Sequence, residues 1–139
     1  MDAVADTSFV VAVAIRSENY HQACRTIYER EKAIILPQTT LNEVAYMLRT
    51  RYDYQAVIHF LRQLPTSKYR LVELTSVDIA RTVLILQKYA DSRVDFVDAT
   101  IAAVAERMNI TRILTLDRRD FGLIRPKHVD RFELLPEPN

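Results

Sequence analysis

The 139-residue chain is 49% hydrophobic and 27% charged, with 19 Lys and Arg against 18 Asp and Glu, a net charge of +1. Such a chain buries roughly two thirds of its unfolded surface in one core, while its single cysteine, Cys24, excludes an intrachain disulfide and a Cys-based zinc site. The lone glycine, Gly122, excludes the multi-glycine phosphate loops of P-loop and dinucleotide-binding folds and disfavours a hairpin-rich all-β fold.

Short apolar runs at 4–5, 33–36, 71–74, 113–116 and 132–135, each bounded by charge, proline or hydroxyl residues, predict five strands. Between them, helical periodicity covers 8–15, 20–30, 41–51, 54–64, 77–89 and 96–108. Thr40-Leu41-Asn42-Glu43 has the pattern of a capping box, Asp53 can cap the next helix before Pro65 closes it, and Asp95 can cap the last one. That last helix carries Val97, Ile101, Val104 and Met108 on one stripe, with Ala99, Ala102, Ala103 and Ala105 filling much of the rest. A helix apolar nearly all round is a buried one.

Strands alternating with helices predict an α/β fold, a five-stranded, mainly parallel sheet flanked by helices on both faces. One domain over 1–135 is expected, followed by a disordered tail at 136–139. The acid in Met1-Asp2-Ala3 does not suit a signal peptide and no apolar run approaches a membrane span. With the cysteine usage, this predicts a cytoplasmic protein. A balanced net charge neither supports nor excludes a nucleic-acid partner.

In an open parallel sheet, ligands bind beyond the carboxyl ends of the strands. Asp6 ends the first predicted strand and Asp117 the fourth, while Glu43 and Asp98 fall in the first turns of helices beginning at that same edge. Four converging carboxylates repel one another unless a cation shares the site. Hard oxygen ligands with no His or Cys nearby select Mg²⁺ or Mn²⁺, and that chemistry points to phosphodiester hydrolysis by metal-activated water.

Asp6-Thr7-Ser8 before an apolar helix, Leu41-Asn42-Glu43-Val44-Ala45, Val97-Asp98-Ala99-Thr100-Ile101-Ala102-Ala103 and Leu114-Thr115-Leu116-Asp117-Arg118-Arg119-Asp120-Phe121 occur in this order. The ordered set resembles the four acidic motifs of PIN-domain nucleases, and the length is most similar to VapC-type toxins of toxin-antitoxin pairs. The resemblance implies a three-layer sandwich around a five-stranded parallel sheet, Mg²⁺ or Mn²⁺ dependence, and endonucleolytic cleavage of RNA to 5′-phosphate and 3′-hydroxyl ends. It also implies a homodimer and a small antitoxin whose tail blocks the site. Asp6, Glu43, Asp98 and Asp117 match the family's catalytic and metal-binding positions.

Each acid also has a plainer role. Glu43 could serve only as the third residue of a capping box, and Asp95 reads as a helix cap. Asp120, three residues past Asp117, could assist through water, and Ser8 and Thr115 could orient a carboxylate or a metal water. Arg93, Arg118 and Arg119 flank these acids and could contact RNA phosphates. His21, His59 and His128 lack metal-ligand spacing.

Two rival functions remain at this level. An Asp-based phosphoryl-transfer domain needs an Asp-x-Asp at the first strand or a Lys after the last; Asp6-Thr7-Ser8 and 132–135 supply neither. A catalytically silent module that only grips RNA or an antitoxin has the same sequence features.

Overall fold

The computed structural model describes residues 2–138. Met1, in the segment read against a signal peptide, and Asn139, at the end of the expected tail, lie outside the described residues.

Five strands form one sheet in the order β3-β2-β1-β4-β5, with β1 Ala3–Ala5, β2 Ile34–Pro37, β3 Tyr69–Val72, β4 Arg112–Leu114 and β5 Glu133–Leu135. All four pairings are parallel. The helices are α1 Thr7–Ala14, α2 His21–Arg30, α3 Gln38–Arg51, α4 Tyr54–Gln63, α5 Ser76–Lys88, α6 Phe96–Arg107 and the short α7 Arg119–Leu123.

The pleat sorts the core into two layers. Ala3, Ala5, Ile34, Leu36 and Leu114 face a cluster with α1, α2 and α3. Val4, Ile35 and Ile113, one residue out of phase, face a second cluster built largely on α6. Both faces of the central strands are therefore buried, as parallel sheets require. Helix α6 is buried from Asp98 through Ala105, and its alanines let it lie close to the sheet. Among the described residues, none of the helices is long and apolar enough to cross a membrane.

Beyond one-residue shifts at element ends, three boundaries and one added helix differ from the sequence reading. The third strand lies at Tyr69–Val72 rather than 71–74, because pairing of Ile34 with Tyr69 seats the tyrosine ring in the core against Tyr28 and Phe60. Helix α3 begins at Gln38, directly after β2, so Glu43 lies in its second turn and the capping box at Thr40 does not form. The fourth strand ends at Leu114, which leaves Asp117 in the following loop rather than at the strand's end. Finally, α7 was not expected at all; its Phe121 is nonetheless fully packed in the second core layer.

Asp53 does cap α4, accepting from the Ala56 N–H at 2.8 Å. A full capping box occurs instead at α5, where Thr75 and Asp78 exchange side-chain and backbone bonds. Asp78 also pairs with Arg107 of α6 at 2.9 Å, beside a two-bond Arg81–Glu106 pair at 2.6 and 3.0 Å. These pairs clamp α5 onto α6.

Burial alone would pull Asp78 upward. The Arg107 hydrogen bond, the Thr75 backbone bond and the Arg107 charge together hold it below the usual carboxylate range. A carboxyl depressed in the folded state adds stability above its unfolded pKa, and that stability is lost as pH falls through the folded value. Arg107→Met should therefore lower stability by about 1.5 kcal/mol at neutral pH, the worth of a charge-assisted hydrogen bond whose arginine faces solvent. In urea titrations, the gap to the unmodified protein should close once Asp78 is protonated in both.

Candidate active site

Asp6 follows β1 directly, and its N–H donates to the Leu114 carbonyl at 2.9 Å, extending the ladder to β4. It occupies the N-cap position of α1, but its carboxylate is turned elsewhere. Oδ2 accepts from Thr115 Oγ1 at 2.7 Å and lies 3.5 Å from Ser8 Oγ. The Thr115 hydroxyl in turn accepts the Asp117 N–H at 3.0 Å, and Ser8 Oγ accepts the Leu116 N–H at 2.9 Å. Ser8 and Thr115 thus orient Asp6 and shape the loop carrying Asp117.

Asp98 sits in the first turn of α6, behind the cap made by Asp95, whose Oδ2 accepts the Val97 N–H at 3.0 Å and the Asp98 N–H at 3.4 Å. Asp120, on α7, reaches the same place. Its Oδ2 accepts the Asp95 N–H at 2.9 Å, and its carboxyl stands close enough to Asp98 to raise that group. Asp6, Asp98 and Asp120 are 4%, 6% and 5% exposed, three acids that are almost wholly desolvated.

The other two acids stand at the rim. Asp117 is exposed, its Oδ1 accepting from the Arg119 N–H at 3.2 Å. Glu43 is half-buried on α3, in an open cavity of about 380 Å³ shared with Tyr46, Phe96 and Val97.

Burial raises Asp6 above the ordinary carboxylate range, and the nearby charges of Glu43 and Asp117 push the same way, against the bonds from Thr115 and Thr7. Burial raises Asp98 further, reinforced by the Asp6 charge, then by the bond and charge of Asp120 and the charge of Asp95. These acids, Asp95 among them, therefore occupy one electrostatic neighbourhood with too little positive charge in it.

The arginines beside the acids have internal partners. Arg118 donates to the carbonyls of Pro136 at 2.8 Å and Leu134 at 3.4 Å, tying the loop after β4 to the end of β5. Arg119 pairs with Asp120 at 2.6 Å and also donates to the Ser92 carbonyl. Arg93 is exposed in a left-handed conformation, φ 53°.

As the side chains stand, no three His, Cys, Asp or Glu among the described residues form a ready metal cage. The donor chemistry nonetheless fits a hard divalent cation: all five candidates are carboxylates, and the buried ones carry repulsion that such an ion would relieve. Sequence reasoning ranked Asp120 below Asp117 and did not see its burial. The signal available was Phe121 and Ile124, apolar residues at helical spacing that anchor α7 beneath the site.

A model of the PIN domain matches residues 3–125. The chain belongs to the PIN-domain family. It is 31% identical over 134 residues to Ribonuclease VapC26 of Mycobacterium tuberculosis, covering 96% of this chain and 99% of that protein. The fold is similar to that of VapC20 of Mycobacterium tuberculosis, a sarcin-ricin loop cleaving toxin, with a TM-score of 0.79 at 20% identity over 91% and 98% of the two chains. It is also similar to a chain of a toxin-antitoxin complex from Klebsiella pneumoniae, with a TM-score of 0.65 at 19% identity over 88% and 92%.

Acids whose folded pKa is raised cost stability once pH exceeds their unfolded value, so the sign is opposite to that of Asp78. In metal-free buffer, Asp98→Asn should melt roughly 4 °C above the unmodified protein near pH 8. The difference should vanish near pH 4, as followed by calorimetry.

Proposed function

We propose that this protein is a divalent-metal-dependent endoribonuclease, the toxin of a toxin-antitoxin pair, in which Asp6, Asp98, Glu43 and Asp117 hold Mg²⁺ or Mn²⁺. The observation that carries this reading is the burial of Asp6 beside Asp98, delivered from segments distant in the chain to one sheet edge. A fold gains nothing in stability from two adjacent desolvated like charges, whereas a cation site requires them. The likeness to a ribonuclease along nearly the whole chain supports RNA as the substrate.

A bound divalent ion would supply an acidified water and offset the charge that develops on phosphate. The chain's own residues do the rest. Asp6 and Asp98 stay fixed because β1 and α6 are rigid, buried elements. Thr115 holds one Asp6 oxygen in place. Glu43 and Asp117 approach from the solvent side, where a phosphodiester would enter. Asp120 completes the cluster behind Asp98, its carboxyl held by the Asp95 N–H.

The resemblance to a chain solved in a toxin-antitoxin complex supports a small protein antitoxin as partner. Val77 and Leu84, seven residues apart on one face of α5, are 66% and 51% exposed, which suits coverage by a second subunit. The location inferred from the cysteine usage is the cytoplasm.

The test is cleavage of total RNA with Mg²⁺ or Mn²⁺, with products mapped at their ends. Asp6→Asn and Asp98→Asn should each lose at least about 100-fold in rate, more than removal of an outer-shell partner costs. Equal activity in all three proteins would end the nuclease reading and leave an RNA- or antitoxin-binding module.

A further inference from the structure

Adjacent hydroxyls at the start of α3 reach two different elements of the site. Thr40 Oγ1, fully buried, donates to the Ala5 carbonyl at 3.1 Å, one residue before Asp6. Thr39 Oγ1 lies 2.7 Å from Thr100 Oγ1 on α6, two residues after Asp98. Because Thr100 donates its own proton to the Val97 carbonyl at 2.6 Å, Thr39 must be the donor in that pair.

The first bond exists because of Pro37. Ile34 directs its N–H to Lys68 on the β3 side, so by alternation Ile35 and residue 37 face β1. Continuing the register of Val4 with Ile35 by one step would have residue 37 donate to the Ala5 carbonyl. Proline has no N–H. The carbonyl next to Asp6 would be a buried acceptor without a donor, and Thr40 supplies one from the next element.

We infer that Thr39 and Thr40 act as positioning residues that set the gap between Glu43 and the pair Asp6 and Asp98. Glu43 lies four residues after Thr39 and three after Thr40, on the same side of α3. The two hydroxyls fix that helix to β1 and to α6 at once, so the rim carboxylate cannot drift while the buried ones stay put. This inference rests on the nuclease reading, in which Glu43 is a ligand.

Mn²⁺ titration calorimetry together with melting temperatures tests it. Thr40→Val should weaken Mn²⁺ binding about tenfold, the effect typical of an outer-shell partner, while Thr40→Ser keeps the hydroxyl and should bind as the unmodified protein does. Adding Pro37→Ala to Thr40→Val restores a donor for the Ala5 carbonyl but no tie to α3. It should raise the melting temperature and leave Mn²⁺ binding weak. Recovery of both would show that Thr40 only satisfies a carbonyl, and would overturn the inference. Should Thr40→Val fail to fold, the half-buried Thr39→Val decides: weakened Mn²⁺ binding supports the clasp, and unchanged binding sinks it. If the unmodified protein binds no Mn²⁺, the nuclease reading falls and takes this inference with it; wild-type binding in Thr40→Val removes the clasp alone.

Discussion

The molecule is organised around β1, three residues hydrogen-bonded on both sides, whose carboxyl end delivers Asp6 into a nearly dry pocket. A desolvated carboxylate is expensive to hold, and a second one beside it more so. Everything nearby can be understood as holding those charges in a fixed geometry. Thr115 bonds Asp6, Asp95 caps the helix of Asp98, and α7 brings Asp120 up behind it.

Helix α6 illustrates how composition serves placement. Small alanines allow close approach to the sheet, and β-branched and aliphatic residues at helical spacing fill the second core layer. An acid at the start of such a helix inherits its rigidity. The α5–α6 ion pairs sit at the far end of the same helix, around Glu106 and Arg107. They hold it against rotation without entering the acidic cluster.

Two carboxyl populations in one small protein thus respond oppositely to pH. Asp78, bonded to Arg107 and to a backbone N–H, is stabilised as an anion. Asp6 and Asp98, buried among other acids, are destabilised as anions. The first pattern is what folding by itself favours; the second persists only because the surrounding elements fix it.

The order of strands and helices, the buried nature of α6, the cap at Asp53 and the grouping of the acids at one sheet edge were legible in the sequence, because apolar period and strand polarity are local properties. The family was legible too, through the order of its acidic motifs. Only tertiary structure decided that Asp120 is buried against Asp98 while Asp117 stays exposed, since Asp120 rides on α7 and the place of that helix is settled by where Phe121 finds its pocket. Likewise, Thr40 looked like a helix cap, and became a bridge to β1 once the register left the Ala5 carbonyl facing a proline that has no N–H to give. Pairing between segments distant in the chain determines such contacts, and a linear pattern does not carry it.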